Sequence, residues 1–287
     1  MARRSTRSVV LVRLLSAPLV VGAFGCQSPA SVPDIEVVAH EYAFSAPDSV
    51  DAGPALVHLR STGKVGHEMI LLKLKPGVAV AQLVEAHKND QPFRPLLDGG
   101  NAVLFAGPGS ANDARLSVTF ESGRDYVLWC NFADGAGQPK HATLGMFKAI
   151  AVRVAAPRAP HPATPVRNVM VSTSDYAFQV PDTLPAGVTD FRMRNVGRVP
   201  HEVVLSRLRA GISARLVLEG ELKGSNVDSL FDSEGVLLTA PAGDHNDVAM
   251  RVNLLAGRLY VLECTFQDAA DKPPHVALGM FKQITVR

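Results

Sequence analysis

The sequence predicts an all-β protein of two tandem Greek-key β-sandwich domains, each carrying one short helix. Three observations lead there. The 287 residues exceed the ~100–200 usual for one domain. The chain also matches itself without gaps: His67 and His201, Cys130 and Cys264, His141 and His275, and Met146 and Met280 all stand 134 residues apart. So do Tyr42 and Tyr176, Pro47 and Pro181, Gly63 and Gly197, and Tyr126 and Tyr260. Finally, each copy consists of short apolar runs punctuated by glycine and proline, a density of strands that suits a sandwich.

In chain order, residues 1–25 read as an export signal. Arg3, Arg4 and Arg7 precede a mostly apolar stretch at 9–21, and Ala23-Phe24-Gly25 has a small-x-small cleavage pattern. The stretch is short and broken by Arg13, so it is not expected to span a membrane. Cys26 follows directly, as in the lipobox of bacterial lipoproteins, and is the expected lipidation site. Residues 26–33 then form a tether, and the mature chain is expected outside the cytoplasm, anchored to a bacterial membrane through lipid alone.

The first domain is expected at 34–154, with strands near 35–40, 54–60, 67–74, 116–120, 125–130 and 147–154. Val80, Leu83, Val84 and His87 recur at helical spacing after Pro76-Gly77, and His87 reads as a packed or capping residue. A Pro- and Ala-rich linker covers 155–167. The second domain, 168–287, repeats the pattern near 169–174, 188–194, 201–208, 249–254, 259–264 and 281–287, with a helix marked by Ile212, Leu216 and Leu222. The hydrophobic content of 47% allows a sizeable core. Charge is nearly balanced at +2 with scattered Lys and Arg, which gives no nucleic-acid footprint.

Chemistry concentrates in two loops. Cys130, His141 and Met146 have the spacing of Cys264, His275 and Met280, and each loop follows an upstream histidine, His67 or His201. Two imidazoles, a thiolate and a weak axial thioether form a donor set that suits redox copper. Zinc accepts similar donors without a redox role. Period-two alternation puts Tyr126, Leu128 and Cys130 on one face of a strand and Val127 and Trp129 on the other. Similarly, His67, Met69 and Leu71 share a face. An exported chain often pairs its cysteines, but Cys130 and Cys264 occupy equivalent places in separate copies, so no bridge between them is expected.

Each copy resembles the cupredoxins, the plastocyanin and azurin family. The stretch 195–201 is similar to the segment before that family's first ligand, and Tyr126 and Tyr260, four residues before each Cys, resemble its tyrosine corner. The resemblance implies copper ligands His67, Cys130, His141 and Met146 in one domain and His201, Cys264, His275 and Met280 in the other. Two features depart from the pattern: ten residues separate Cys from His, and Ser61 stands where the second copy has Asn195.

The expected function is an exported electron carrier with one mononuclear copper per domain and no catalytic residues, exchanging electrons with unidentified redox proteins. Alternatives are a metal-free scaffold or a two-domain copper oxidase or nitrite reductase. Those enzymes need His-x-His pairs or additional interfacial histidines for a second kind of copper, and none of the nine histidines forms a His-x-His pair. Trp129 is expected to face outward as an electron port at the first site. Glu263, its counterpart, is expected to place a carboxylate charge beside the second and make it the less oxidising.

Overall fold

A computed structural model describes residues 32–155 and 165–287. The expected export signal, the Cys26 lipidation site, most of the tether and most of the linker lie outside them. Among the described residues, no helix is long and apolar enough to cross a membrane.

The structure is all-β, built from two sheets that each run through both copies. In the first copy Ala43–Ser45, Asp34–His40, Gly53–Ser61 and Arg115–Phe120 lie in one sheet. Ser49–Asp51, Phe147–Arg153, Asp125–Trp129, His67–Lys73 and Ala102–Ala106 lie in the other. The second copy repeats this order, giving sheets of eight and ten strands. Alternation along the strands fills the space between them: Tyr126, Leu128 and Cys130 point into one core cluster with Met69 and Leu71, and that cluster includes residues of both copies.

The copies join edge to edge, in register with themselves. In the ten-stranded sheet Leu237 pairs with Val103, and in the eight-stranded sheet Met250 pairs with Leu116. Each is its partner's repeat equivalent, so the seam is self-complementary, like the isologous interface of a two-fold dimer. Polar contacts accordingly occur twice. Asn112 Nδ2 donates across the seam to Gly235 O (2.6 Å) and Asn246 Nδ2 to Asn101 O (2.7 Å). Arg207 reaches Asp113 (2.8 Å) and Lys73 reaches Asp247 (2.6 Å).

The expected strands all form. The sequence reading missed the seam strands Ala102–Ala106 and Val236–Ala240, because runs such as Ala-Val-Leu-Phe-Ala show no alternation when both faces are covered. It also missed the short edge strands Ala43–Ser45, Ser49–Asp51, Ala177–Gln179 and Thr183–Leu184. Helix α1 (Val80–Lys88) buries Leu83 as expected. Helix α2 (Ala214–Leu222) buries Ala214 and Val217, whereas Leu216 and Leu222 are exposed. Ser213 sets that phase by accepting a hydrogen bond from the Leu216 N–H (3.3 Å).

Candidate metal centres

Strand ends and one loop bring three donors together in each copy. His67 opens the strand His67–Lys73, and Cys130 follows the neighbouring strand Asp125–Trp129. His141 opens a short 3-10 turn, His141–Leu144, which Gly145 closes at φ 102°, a conformation open chiefly to glycine. The chain then returns to Met146, whose carbonyl accepts the Cys130 N–H (3.1 Å), while His141 N–H donates to Phe132 O (2.7 Å). The second copy has the same turn at His275–Leu278, ending at Gly279 (φ 116°), with Cys264 N–H on Met280 O (3.2 Å).

His67, Cys130 and His141 form one buried cluster, and His201, Cys264 and His275 another, the ligand atoms of each lying within 4.8 Å of one another. His67 Nδ1 and His141 Nδ1 are 3.2 Å apart, and Cys130 Sγ is 3.4 Å from His141 Nδ1. The second set matches at 3.1 and 3.4 Å. Met146 and Met280 are fully buried, and their carbonyls accept the N–H groups of Cys130 and Cys264. Both thiols are free, so Cys130 and Cys264 do not pair with each other.

Around each cluster the chain fixes protonation and direction. His141 Nε2 lies 2.9 Å from Asp134 Oδ1, which accepts its N–H and leaves the Nδ1 lone pair for the cluster. Asp134 also accepts the Tyr42 hydroxyl (2.7 Å), and these two contacts hold its carboxyl below the usual range. Asp268 does the same for His275 and Tyr176. Burial, then the facing imidazole, pushes His67 down to about 4, and the same causes lower His201. Glu68 accepts the Asn131 N–H (2.9 Å) and Glu202 the Thr265 N–H (2.7 Å), which ties the residue after each cysteine to the first histidine's strand.

These residues fit copper. Burial pushes the Cys130 thiol up to about 11 and Cys264 to about 12, so a free thiolate is unfavourable without a cation. Two imidazole nitrogens and a sulfur at van der Waals range, all buried, supply what a soft, partly thiolate-bound ion requires. The two sets could therefore bind copper, with His67, Cys130 and His141 or His201, Cys264 and His275 as the residues that would hold it.

Both tyrosine corners form: Tyr126 OH accepts Glu121 N–H (3.3 Å), and Tyr260 OH accepts Leu255 N–H (3.1 Å). The departure at residue 61 also has a structural effect. Asn195 donates to Val199 O and Ala240 O and accepts the Gly197 N–H, whereas Ser61 accepts only the Gly63 N–H at 3.3 Å. His87 packs as expected: its ring meets Trp129 edge-on and its Nε2 lies 2.9 Å from Thr143 Oγ1 in the ligand loop.

Two expectations about the surroundings require correction. Trp129 does point away from the core, but α1 covers that face, and the indole is 0% exposed among Leu72, Leu83 and Phe147. It cannot serve as a surface port. Glu263 is also buried, and desolvation pushes its carboxyl up to about 8, so it does not place a full charge beside Cys264 at neutral pH.

The sequence reading overlooked Asp134, Asp268, Glu68 and Glu202 and gave Tyr42 and Tyr176 no role. All form pairs at the 134-residue offset, so the comparison that found the ligands contained them.

The fold is the expected cupredoxin-like pair of β-sandwiches, and the strands foreseen in each copy all form. No protein-family model matches the chain, and no curated protein matches it. Among solved structures, reduced auracyanin from Roseiflexus castenholzii aligns at 20% identity over 45% of this chain and 100% of its own, with a TM-score of 0.29. Auracyanin B aligns at 26% over 44% and 91%, with a TM-score of 0.30. A copper-containing nitrite reductase from Thermus scotoductus aligns at 14%, over 88% of this chain and 61% of its own, with a TM-score of 0.24. At these TM-scores the fold rests on its own strand order and the centres on their own geometry.

Proposed function

We propose that this chain is an exported electron-transfer protein of the cupredoxin type, with one mononuclear copper centre in each copy. The observation that carries this reading is preorganisation. In each centre the three donors are buried within 4.8 Å of one another, and the second histidine's Nδ1 already lies 3.1 to 3.4 Å from the other two. A site that needs little rearrangement suits an ion that changes charge. Bound copper would supply one-electron exchange between Cu(II) and Cu(I).

The residues divide the remaining work. Asp134 and Asp268 keep the second histidine in the tautomer whose Nδ1 is unprotonated. The backbone bonds from Cys130 to Met146 and from Cys264 to Met280 hold the loops closed. Burial of the thiols makes their ionisation depend on the metal.

Two tests follow. The copper-loaded protein should hold about two copper ions with an intense visible thiolate band. Cys130→Ser or Cys264→Ser should each remove half of copper and colour, and a double variant that kept both would defeat the assignment. Steady turnover of nitrite or a phenol with oxygen by the same preparation would favour a copper oxidoreductase. Membrane attachment through Cys26 is tested by Cys26→Ser, expected to move the protein to the soluble extracytoplasmic fraction; unchanged membrane association would refute it.

A further inference from the structure

A two-residue turn lies against each centre. Glu41 and Tyr42 join the strands Asp34–His40 and Ala43–Ser45, and Asp175 and Tyr176 join Arg167–Ser174 and Ala177–Gln179. Both tyrosines hold φ in the left-handed region, at 60° and 65°, where bulky side chains are uncommon. Such backbone persists only where its surroundings impose it, and it clusters at functional sites. Each tyrosine meets the second histidine edge-on at 5.0 Å and gives its hydroxyl to the aspartate that orients that ring.

The acidic residue of the same turn stands near the first histidine. The Nδ1 atoms of His67 and His201 face the cluster. If they are to hold a metal, the proton of each neutral ring must sit on Nε2. Both Nε2 atoms are buried without a hydrogen-bond partner, and a buried N–H with no acceptor is costly. In the second copy Asp175 Oδ1 lies 3.9 Å from His201 Nε2, too long for a hydrogen bond and within reach of a small side-chain movement. The carboxylate is already held there by the Arg198 N–H, which it accepts at 2.7 Å. In the first copy Glu41, its repeat equivalent, accepts the Lys64 N–H at 2.7 Å in the same way.

A repeated glycine keeps the intervening space open. A Cβ on Gly63 would stand 3.0 Å from His67 Nε2 and 3.4 Å from Glu41 Oε1, and one on Gly197 would stand 2.4 Å from Asp175 Oδ1. Neither glycine has a positive φ, so the backbone does not demand them. Room for the carboxylate beside the imidazole does.

We propose that Glu41 and Asp175 are positioning residues of the two centres, each accepting the Nε2–H of the first histidine when that ring's Nδ1 holds the metal. The proposal rests on the copper reading. One turn then directs both imidazoles of its centre, the first through its carboxylate and the second through its tyrosine and the aspartate behind it.

In the full copper-loaded chain, Asp175→Ala should weaken the second centre about tenfold in competition with a copper chelator and leave the first unchanged. Asp175→Asn keeps an acceptor oxygen and should restore most of that affinity. Having lost the charge that favours Cu(II), it should also raise the second centre's reduction potential, which a merely structural turn would not do. In the diamagnetic Cu(I) form, nitrogen NMR should find a slowly exchanging proton on His201 Nε2, and Asp175→Ala should speed its exchange. Gly197→Ala leaves every donor and acceptor in place and displaces the carboxylate, so it should reproduce the loss of affinity and serves if Asp175→Ala fails to fold. Affinity and potential at the second centre that ignore these variants would overturn the proposal. A wild-type chain that takes up no copper would sink the copper reading and this proposal with it, whereas normal uptake with indifferent variants would sink this proposal alone.

Discussion

Asp134 and Asp268 sit outside the donor sets, yet each decides whether its histidine can serve. Without an acceptor at Nε2, the imidazole is free to carry its proton on Nδ1 and so lose the lone pair that faces the cysteine. Partners of this kind typically contribute ~10–100-fold to metal affinity. Asp134→Ala should therefore weaken copper at the first centre by about that factor and leave the second unchanged, as competition with a copper chelator would measure. Tyr42→Phe should have a smaller effect in the same direction, since it removes the hydroxyl that orients the carboxylate and keeps the ring that meets His141 edge-on at 5.0 Å.

At the scale of elements, one strand-and-helix unit meets two demands. In the first copy α1 holds Trp129 against the sheet and, through His87 and Thr143, steadies the turn that carries His141. Truncating a fully buried indole removes much packing, and Trp129→Ala should cost about 3–5 kcal/mol in guanidinium unfolding. The same change at its counterpart should cost at most about 1 kcal/mol, because Glu263→Ala removes an oxygen that had no partner. Equal losses would mean that the two helices pack on their sheets alike.

For the whole molecule, the seam is decisive. Two sheets and one core cluster pass through both copies, so neither copy presents finished edges alone. Calorimetry should show one cooperative transition for 32–287. Fragments 32–155 and 165–287 should associate one to one when mixed, and a monomeric, fully stable first fragment would contradict this. Gly100 provides a sharper probe. A Cβ there would stand 1.8 Å from the Thr239 carbonyl oxygen, and Gly100→Ala should destabilise both copies by about 1–3 kcal/mol or more.

The sequence by itself determined the repeat, the all-β class and the six histidine and cysteine positions that the fold gathers. Each depends on local spacing or on what two copies share: His67 and His201 needed only the 134-residue offset, and Tyr126, Leu128 and Cys130 only the alternation of a strand. What covers a face is not encoded locally. Trp129 points away from the core as alternation requires, and only the placement of α1 decides that it is buried. Likewise Ala102–Ala106 carries no alternation because strands and side chains distant in sequence enclose it on every side. The Glu263 carboxyl is an ordinary acid in the sequence, and the low-dielectric space under α2 is what raises its pKa. Donor identity is a property of residues, whereas burial, ionisation and the seam are properties of neighbours that only the folded chain brings together.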